Sequence, residues 1–359
     1  MSYFRKNIDA MQGYVPGEQP QEPGYIKLNT NENPYPPSPK MLAAIAKALN
    51  EDLRKYPDPM ANVVRRKAAQ VYGARPERIL GGNGSDELLT IITRCFAGEG
   101  DKVAFPYPSY SLYQTLAEIQ GAKPVAVEFP DDYSMPAGLA QPGAKLTFIP
   151  NPNSPSATFI SRAEMRRLAG KVSGVLVIDE AYVDFADENC LDLVDEFPNV
   201  IVLRTFSKSF SLAGMRIGFA FAQEPIIAGL VKAKDSYNVN RLWIAAAAAG
   251  LDDLGYVRKS VAKIRKDREY LVEQLRALGL FVYPSQANFV MARFASAGMA
   301  KSVYEQLKAQ KILIRYWARP RIDDCVRITV GTRQEIDALL KALGALLGKV
   351  KKGKKVIIR

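Results

Sequence analysis

The run Ile201-Val-Leu-Arg-Thr-Phe-Ser-Lys-Ser-Phe-Ser-Leu-Ala-Gly-Met-Arg-Ile-Gly218 gathers several reactive side chains in one short segment. It opens as a β-branched apolar stretch, the pattern of a buried strand. It then turns through small hydroxylated residues that present Lys208. A lysine among Thr, Ser and Phe just past a buried strand is badly placed as a solvated charge. It suits imine chemistry instead, in which a neutral amine attacks a carbonyl. Ser207 beside it and Arg216 eight residues later add a hydroxyl donor and a fixed guanidinium, as a phosphate anchor requires. A strand end with an ordinary surface lysine would read the same over these residues, so the remainder of the chain decides.

Other groups able to do chemistry recur at comparable places. Gly82-Asn-Gly-Ser-Asp-Glu87 is a glycine-rich turn from a strand into a helix, where backbone N–H groups at a helix start can face an anion. It lacks the third glycine of a dinucleotide fingerprint, and Ser85 or Asp86 could equally serve as a plain helix cap. Pro106-Tyr-Pro-Ser-Tyr110, Asn151-Pro-Asn-Ser-Pro155 and Asp179-Glu-Ala-Tyr182 each follow an apolar run. Histidine is absent altogether. That excludes His triads, His metal sites and His general bases, and leaves acid–base work to Lys, Tyr, Asp or Glu. Cys95, Cys190 and Cys325 are odd in number and widely spaced, which argues for reduced cytosolic thiols and against a disulfide framework or a metal knuckle. No metal is expected.

The elements that must position these groups alternate. Strands are expected at 78–81, 102–105, 124–128, 145–149, 174–179, 200–204 and 216–221. Helices are expected at 38–50, 88–96, 109–120, 161–170 and 224–235. Such alternation predicts an α/β fold with a mostly parallel sheet and ligands beyond the carboxyl ends of its strands. The candidate groups fall at four of those ends, a coincidence that chance does not readily supply. After Trp243 the pattern becomes a smaller α+β unit, with helices at 240–250, 254–278, 297–310 and 333–347 and strands at 280–283, 288–293, 312–315 and 325–330. The expected division is an irregular N-terminal arm (1–36), a large domain (37–250), a small C-terminal domain (251–347) and a basic tail (348–359).

At 359 residues, 48% hydrophobic and 24% charged, the chain has the composition of a globular protein larger than one ordinary domain. Neither a signal peptide nor a membrane span is evident, and a cytoplasmic location is expected. The net charge of +12 lies partly in the tail and partly on helix faces, without aromatic interleaving. A small anionic substrate is therefore preferred to nucleic acid as the partner.

Asp179-Glu-Ala-Tyr182, Thr205–Arg216, Gly82–Glu87 and Asn151–Pro155 together resemble the fold-type I pyridoxal-phosphate enzymes. Leu28-Asn-Thr-Asn-Glu-Asn-Pro-Tyr-Pro-Pro37, Tyr56-Pro-Asp-Pro59, Tyr237-Asn-Val-Asn240, Ser285-Gln-Ala-Asn-Phe289 and Arg327-Ile-Thr-Val-Gly331 narrow the resemblance to the histidinol-phosphate aminotransferases. It runs from about residue 14 to 347. It implies a large domain with a seven-stranded sheet, a homodimer with a shared active site, and pyridoxal 5′-phosphate as cofactor. It implies transfer of the amino group between histidinol phosphate and glutamate, in histidine biosynthesis, by a ping-pong scheme. Lys208 would carry the cofactor and shuttle the proton, and Asp179 would pair, ionised, with the ring nitrogen. Tyr182 and Asn153, the latter preferred to Asn151, would bond the ring oxygen, with Tyr110 stacked on the ring. Gly84, Ser85, Asp86, Ser207 and Arg216 would surround the phosphate, with Tyr56 reaching it from the partner subunit. Arg327, assisted by Arg315 and Tyr14, would bind the anionic end of the substrate. Ser154-Pro-Ser-Ala-Thr158 departs from the family's Asn-Pro-Thr-Gly. An aromatic amino-acid transaminase, a threonine-phosphate-type decarboxylase and a non-catalytic regulatory domain on the same fold stay open.

Overall fold

The computed structural model describes residues 2–353. The last residues of the expected basic tail, 354–359, lie outside them. The strands, in chain order, are β1 (Ile26–Lys27), β2 (Ile79–Asn83), β3 (Lys102–Tyr107), β4 (Lys123–Glu128), β5 (Ala144–Pro150), β6 (Val175–Asp179) and β7 (Val200–Thr205). They continue with β8 (Ile217–Phe221), β9 (Phe281–Val282), β10 (Phe289–Arg293), β11 (Ile312–Leu313), β12 (Arg315–Tyr316) and β13 (Cys325–Thr329). Seven of them form one sheet in the order β2-β8-β7-β6-β5-β3-β4. Neighbours from β7 to β4 pair in parallel, whereas β8 runs antiparallel to both β7 and β2. The expected mostly parallel sheet is therefore present, with its reversed strand next to the loop that bears Lys208.

Strands buried on both faces read as nearly continuous apolar runs, and their side chains divide by parity. Val175, Val177, Ile201 and Leu203 point into one layer, and Leu176, Ile178, Val200 and Val202 into the other. Helices cover both layers. Those that matter below are α1 (Lys6–Ala10), α2 (Pro39–Ala48), α3 (Asn62–Tyr72), α4 (Ser85–Phe96) and α5 (Leu112–Ile119). Ser38 caps α2 through its hydroxyl, as expected from the Ser-Pro step. Helix α4 begins three residues earlier than its hydrophobic periodicity indicates, because Gly84 in a left-handed conformation (φ 87°) lets Ser85 enter the first turn directly.

A second sheet, β12-β13-β10-β9, is antiparallel and packs with its own apolar cluster around Val290, Val326, Ile328, Leu271 and Leu339. The 24-residue helix Leu254–Ala277 contributes to both lobes: Val257 packs in the large core and Leu271 in the small one. The arm departs from its expected irregular form. It contains α1, whose Asn7 side chain donates to the carbonyls of Glu118 and Ile119 at the end of α5, and β1, which pairs in parallel with β11. The expected strand at 312–315 is correspondingly split, β11 serving β1 and β12 serving β13. No helix among the described residues is long and apolar enough to cross a membrane.

The tightest backbone approach near the Lys208 loop is at Gly218. A Cβ there would lie 2.5 Å from Gly84 C and 2.6 Å from Ser85 N, both backbone atoms with no room to retreat. Gly218→Ala should therefore push the start of α4 away from β8, at a cost of about 1–3 kcal/mol, measured as a lowered urea midpoint with unchanged m. An unchanged midpoint would mean that the turn yields freely.

Candidate active site

Four strand ends deliver side chains to one cleft of about 180 Å³. β3 is followed by Tyr110, β5 by Ser154, β6 ends on Asp179 with Tyr182 beyond it, and β7 is followed by Ser207 and Lys208. Ser85 and Asp86 come from the start of α4, and Tyr14, Arg315 and Arg327 close the cleft from the arm and the small lobe.

On one side lies an anion cradle. Arg216 donates to Ser207 Oγ at 3.3 Å and to Asp86 Oδ2 at 3.0 Å. Thr205 Oγ1 donates to Ser207 Oγ at 3.0 Å and accepts from the Ser207 N–H at 3.1 Å, which fixes the turn before Lys208. Arg216 itself is left-handed (φ 53°), uncommon for a residue with a Cβ. Gly84 does not line the cleft, but a Cβ on it would sit 2.4 Å from Arg216 Nη2, so the guanidinium occupies the space that glycine leaves. Asp86 needs a correction. Its carboxylate accepts from Arg216 and, at 3.1 Å, from the Tyr110 hydroxyl. A carboxylate repels a phosphate, so the side chain orients Arg216 while its backbone N–H at the helix start remains available to an anion.

Across the cleft lies a second cationic region. Arg327 is buried, donates to Ser154 Oγ at 3.0 Å and to the carbonyl of Asn29 at 2.8 Å, and lies 5.1 Å from the ring centres of Phe289 and Trp317. No carboxylate among the described residues is within ion-pair reach of it, and its Nε has no partner. Burial lowers its pKa from the ordinary guanidinium range. Arg315 lies 5.2 Å over Trp317 and holds the arm through the carbonyls of Val15 and Pro16, each at 3.3 Å. Tyr14 meets Tyr110 edge to face at 5.8 Å.

Lys208 lines the same cleft, its Nζ 5.5 Å from the centre of the Tyr182 ring. Asp179 is buried beneath, its Oδ1 accepting from the Ala181 N–H at 3.2 Å and its Oδ2 from the Tyr113 hydroxyl at 2.8 Å. Burial pushes its pKa up to about 6, against the Tyr113 donation and with a further push from Asp86. This reverses the direction expected from an opposite charge alone, because desolvation is the largest influence on it.

Asn153 is also corrected. Its amide donates to the carbonyl of Pro108 at 3.2 Å and to Ser156 Oγ at 2.8 Å, and it does not line the cleft. Asn151 is likewise committed, exchanging two bonds with the backbone of Ile160. Both satisfy buried loop groups that would otherwise be orphaned. The residues this loop offers to the cleft are Ser154 and Pro155, of which only Ser154 has a polar side chain. Tyr56 lies elsewhere in this chain, stacked 4.4 Å from Tyr237 and 79% exposed.

These residues meet the demands of a flat, phosphorylated aromatic aldehyde: an anion cradle, an amine, an aromatic wall at Tyr110 and a buried carboxylate. The family model for aminotransferase class I and II matches residues 23–343. The chain belongs to this aminotransferase family. It is 49% identical over 348 residues to the histidinol-phosphate aminotransferase of Citrifermentans bemidjiense, covering 96% of this chain and 99% of that one. It is 46% identical over 349 residues to histidinol-phosphate aminotransferase 1 of Trichormus variabilis, with the same coverage. The crystal structure of the Sinorhizobium meliloti histidinol-phosphate aminotransferase in complex with pyridoxal-5′-phosphate superposes with a TM-score of 0.89 at 27% identity, covering 98% of this chain and 99% of that one. The fold expected of a fold-type I transferase is thus the fold observed.

Sequence reasoning missed three features of this aminotransferase site. Asn29, Asn31 and Asn33, quoted only as a motif, each touch a working part. The Asn29 carbonyl accepts from Arg327, Asn31 donates to the Tyr182 hydroxyl at 3.0 Å, and Asn33 donates to the Lys208 carbonyl at 3.1 Å. The recurrence of asparagine at every second position, in a segment too rich in Asn and Pro for a regular element, was the available signal. Tyr113 was missed too, although it stands one helical turn after Tyr110. The third is a buried charge cluster behind the site. Arg204 Nε lies 2.7 Å from Glu180 Oε2 and its Nη1 is 3.4 Å from Asp184, which in turn accepts from Ser209. A lone arginine inside the run Ile201–Leu203 was the sign, since a buried charge needs partners. Glu180 follows Asp179 and Ser209 follows Lys208, so the cluster ties together the two loops that hold those residues. Arg204→Ala, which strands the Glu180 carboxylate, should cost about 3–5 kcal/mol in a denaturant melt, whereas Ser209→Ala should cost about 1 kcal/mol. Equal, small losses would show that water solvates Glu180 readily.

Proposed function

We propose that this chain is a pyridoxal-phosphate-dependent histidinol-phosphate aminotransferase, exchanging the amino group between histidinol phosphate and glutamate. The observation that carries the reading is the presence of two separate cationic regions, Arg216 with Ser207 and Arg327 with Arg315, in the one cleft that also holds the Lys208 amine. One suits the phosphate of a cofactor and the other the anionic end of a substrate, and the names of the relatives agree. Pyridoxal phosphate, when bound, supplies an aldehyde that takes over the amino group and a ring that spreads carbanion charge.

The chain's own residues account for the rest. Ser85, Ser207 and Arg216 would hold the phosphate, with the N-terminus of α4 adding its dipole. Lys208 Nζ would hold the aldehyde carbon and, when free, move the proton at the substrate carbon. Asp179 would hold the ring nitrogen in its protonated form. The Tyr182 hydroxyl, oriented by Asn31, would bond the ring oxygen, and Tyr110 would pack on the ring. The planar fork of Arg327 can grip a phosphate in one half-reaction and a carboxylate in the other, which a lysine's point charge cannot do bidentately.

A homodimer is part of the reading. It is supported by the exposed Tyr56–Tyr237 stack and its exposed neighbours Leu49 and Leu53, a surface suited to carrying Tyr56 to a second copy. Three free, widely spaced cysteines suit a reducing, cytoplasmic setting. The division into residues 37–250 and 251–347 is proposed on the separate cores of the two sheets.

The deciding experiment adds histidinol phosphate, phenylalanine, tyrosine and O-phosphothreonine singly to the cofactor-loaded chain and follows the cofactor absorbance. Histidinol phosphate should react with the highest kcat/KM. A preference for phenylalanine, or carbon dioxide release from O-phosphothreonine, would replace the reading. Borohydride should fix the cofactor to Lys208 and no other lysine, and Lys208→Ala should retain cofactor binding while losing nearly all turnover. Arg327→Lys should weaken both half-reactions and Arg327→Ala more so, by about ten- to a hundredfold in kcat/KM for each charge-assisted hydrogen bond lost.

A further inference from the structure

We propose that Tyr113 is a positioning residue for the reaction: its hydroxyl holds Oδ2 of Asp179 and keeps that carboxylate ionised and fixed in orientation at the floor of the cleft. The proposal rests on the reading above, in which Asp179 faces the ring nitrogen of pyridoxal phosphate. The geometry carries it. Tyr113 is fully buried on α5, its ring stacked on Phe148 of β5 at 4.8 Å and 6°. The ring cannot swing, so the 2.8 Å bond from its hydroxyl to Asp179 is set by the packing of a helix on the sheet. Tyr110, one turn earlier, meets Tyr113 edge to face at 5.6 Å. A single turn of chain therefore supplies both a wall of the cleft and the partner of its buried acid.

A buried carboxylate needs a donor that does not itself titrate. Tyr113 meets that need, since burial and then the charge of Asp179 hold its pKa well above the ordinary 10. It donates at every working pH, which a histidine would not, and the chain has no histidine. The other groups facing Asp179 are the Ala181 N–H, Lys208 from the loop after β7, and Asp86 from the start of α4. Lys208 favours the ionised form and Asp86 opposes it, leaving Tyr113 as the neutral side-chain donor among them. Tyr110 and Tyr182 line the cleft nearby.

The consequence is a pH dependence with a definite sign. Asp179 rises from its ordinary 3.8 to about 6 on folding. A group raised in the folded state contributes stability that is fully present below its unfolded pKa and is lost as the pH climbs through its folded one. The cofactor-free protein should therefore lose stability between about pH 4 and 6 through this residue, and Asp179→Asn should abolish that step. Tyr113→Phe removes only the phenolic oxygen and should move the midpoint of the step upward by about one pH unit, the size of one lost charge-assisted bond.

The experiment is thermal unfolding of the cofactor-free chain from pH 4 to 8, together with a pH titration of the cofactor absorbance and of kcat in the loaded chain. For Tyr113→Phe the expected results are the upward midpoint shift, a matching shift in the absorbance titration, and a fall in kcat with KM held within a few-fold. Phe148→Leu, which loosens the stack that fixes the Tyr113 ring, should move the midpoints in the same direction as Tyr113→Phe but by less. Unchanged midpoints in Tyr113→Phe would overturn the proposal. So would a shift seen without cofactor that leaves the loaded chain's spectrum and kcat untouched. Failure of the wild-type chain to take up pyridoxal phosphate would instead overturn the function proposed above, and the cofactor-free melts keep the two failures apart.

Discussion

Two backbones meet at Gly218 with no space for a β-carbon between them, and the site is built outward from that contact. The register places Gly218 opposite Thr205 on one side and Gly82 on the other. Because β8 runs antiparallel to β7, the residue that precedes it, Arg216, emerges at the same edge of the sheet as the residues that follow β7. A parallel strand there would have begun at the opposite edge, some five residues away. The reversal of one strand thus puts a guanidinium, two hydroxyls and a helix N-terminus around one point. The close approach at Gly218 then keeps them within hydrogen-bond range of each other.

Burial acts unequally on the charges at this site. Arg327 is buried like Asp179, yet an arginine begins so far above neutrality that the lowering leaves it cationic. Asp179 begins low and is moved into the range where it titrates. The permanent charges therefore do the gripping, and the adjustable one sits where a protonation state matters to chemistry. Arg327 also shows how a cation is kept buried without a carboxylate. A carbonyl, a hydroxyl and two aromatic faces hold it, partners that leave its positive charge uncancelled for an incoming anion.

Much of this was legible in the sequence because it follows from short-range patterning. The apolar runs of β5 to β8 gave the sheet, and polar residues at their ends gave Lys208, Asp179, Tyr182 and Arg216 as one constellation. The errors came where several acceptable side chains compete over one loop. Asn151, Asn153 and Ser154 lie within four residues, and which of them faces the cleft depends on which buried carbonyls need a donor, something only the folded loop decides. The role of Asp86 turned on sign: it stands at a helix start that welcomes anions, but its own charge is spent on Arg216. Tyr113 and the arm asparagines act through contacts 66 to 298 residues distant in sequence, beyond the reach of any local pattern.

The arm asparagines carry a consequence for how the protein is made. Asn29 and Asn31 bond Arg327 and Thr329, residues separated from them by 298 positions, and β1 is completed only by β11. On a ribosome the arm emerges well before its partners. The large sheet can assemble while the arm waits, since none of its strands needs the final hundred residues. Tyr182 and the Lys208 loop then stay without their arm contacts until β13 arrives to receive the arm. Closing so long a loop is a late and slow step for any chain. The arm and β13 thus act as a clasp, and the reactive lysine acquires its full setting only once β13 has emerged.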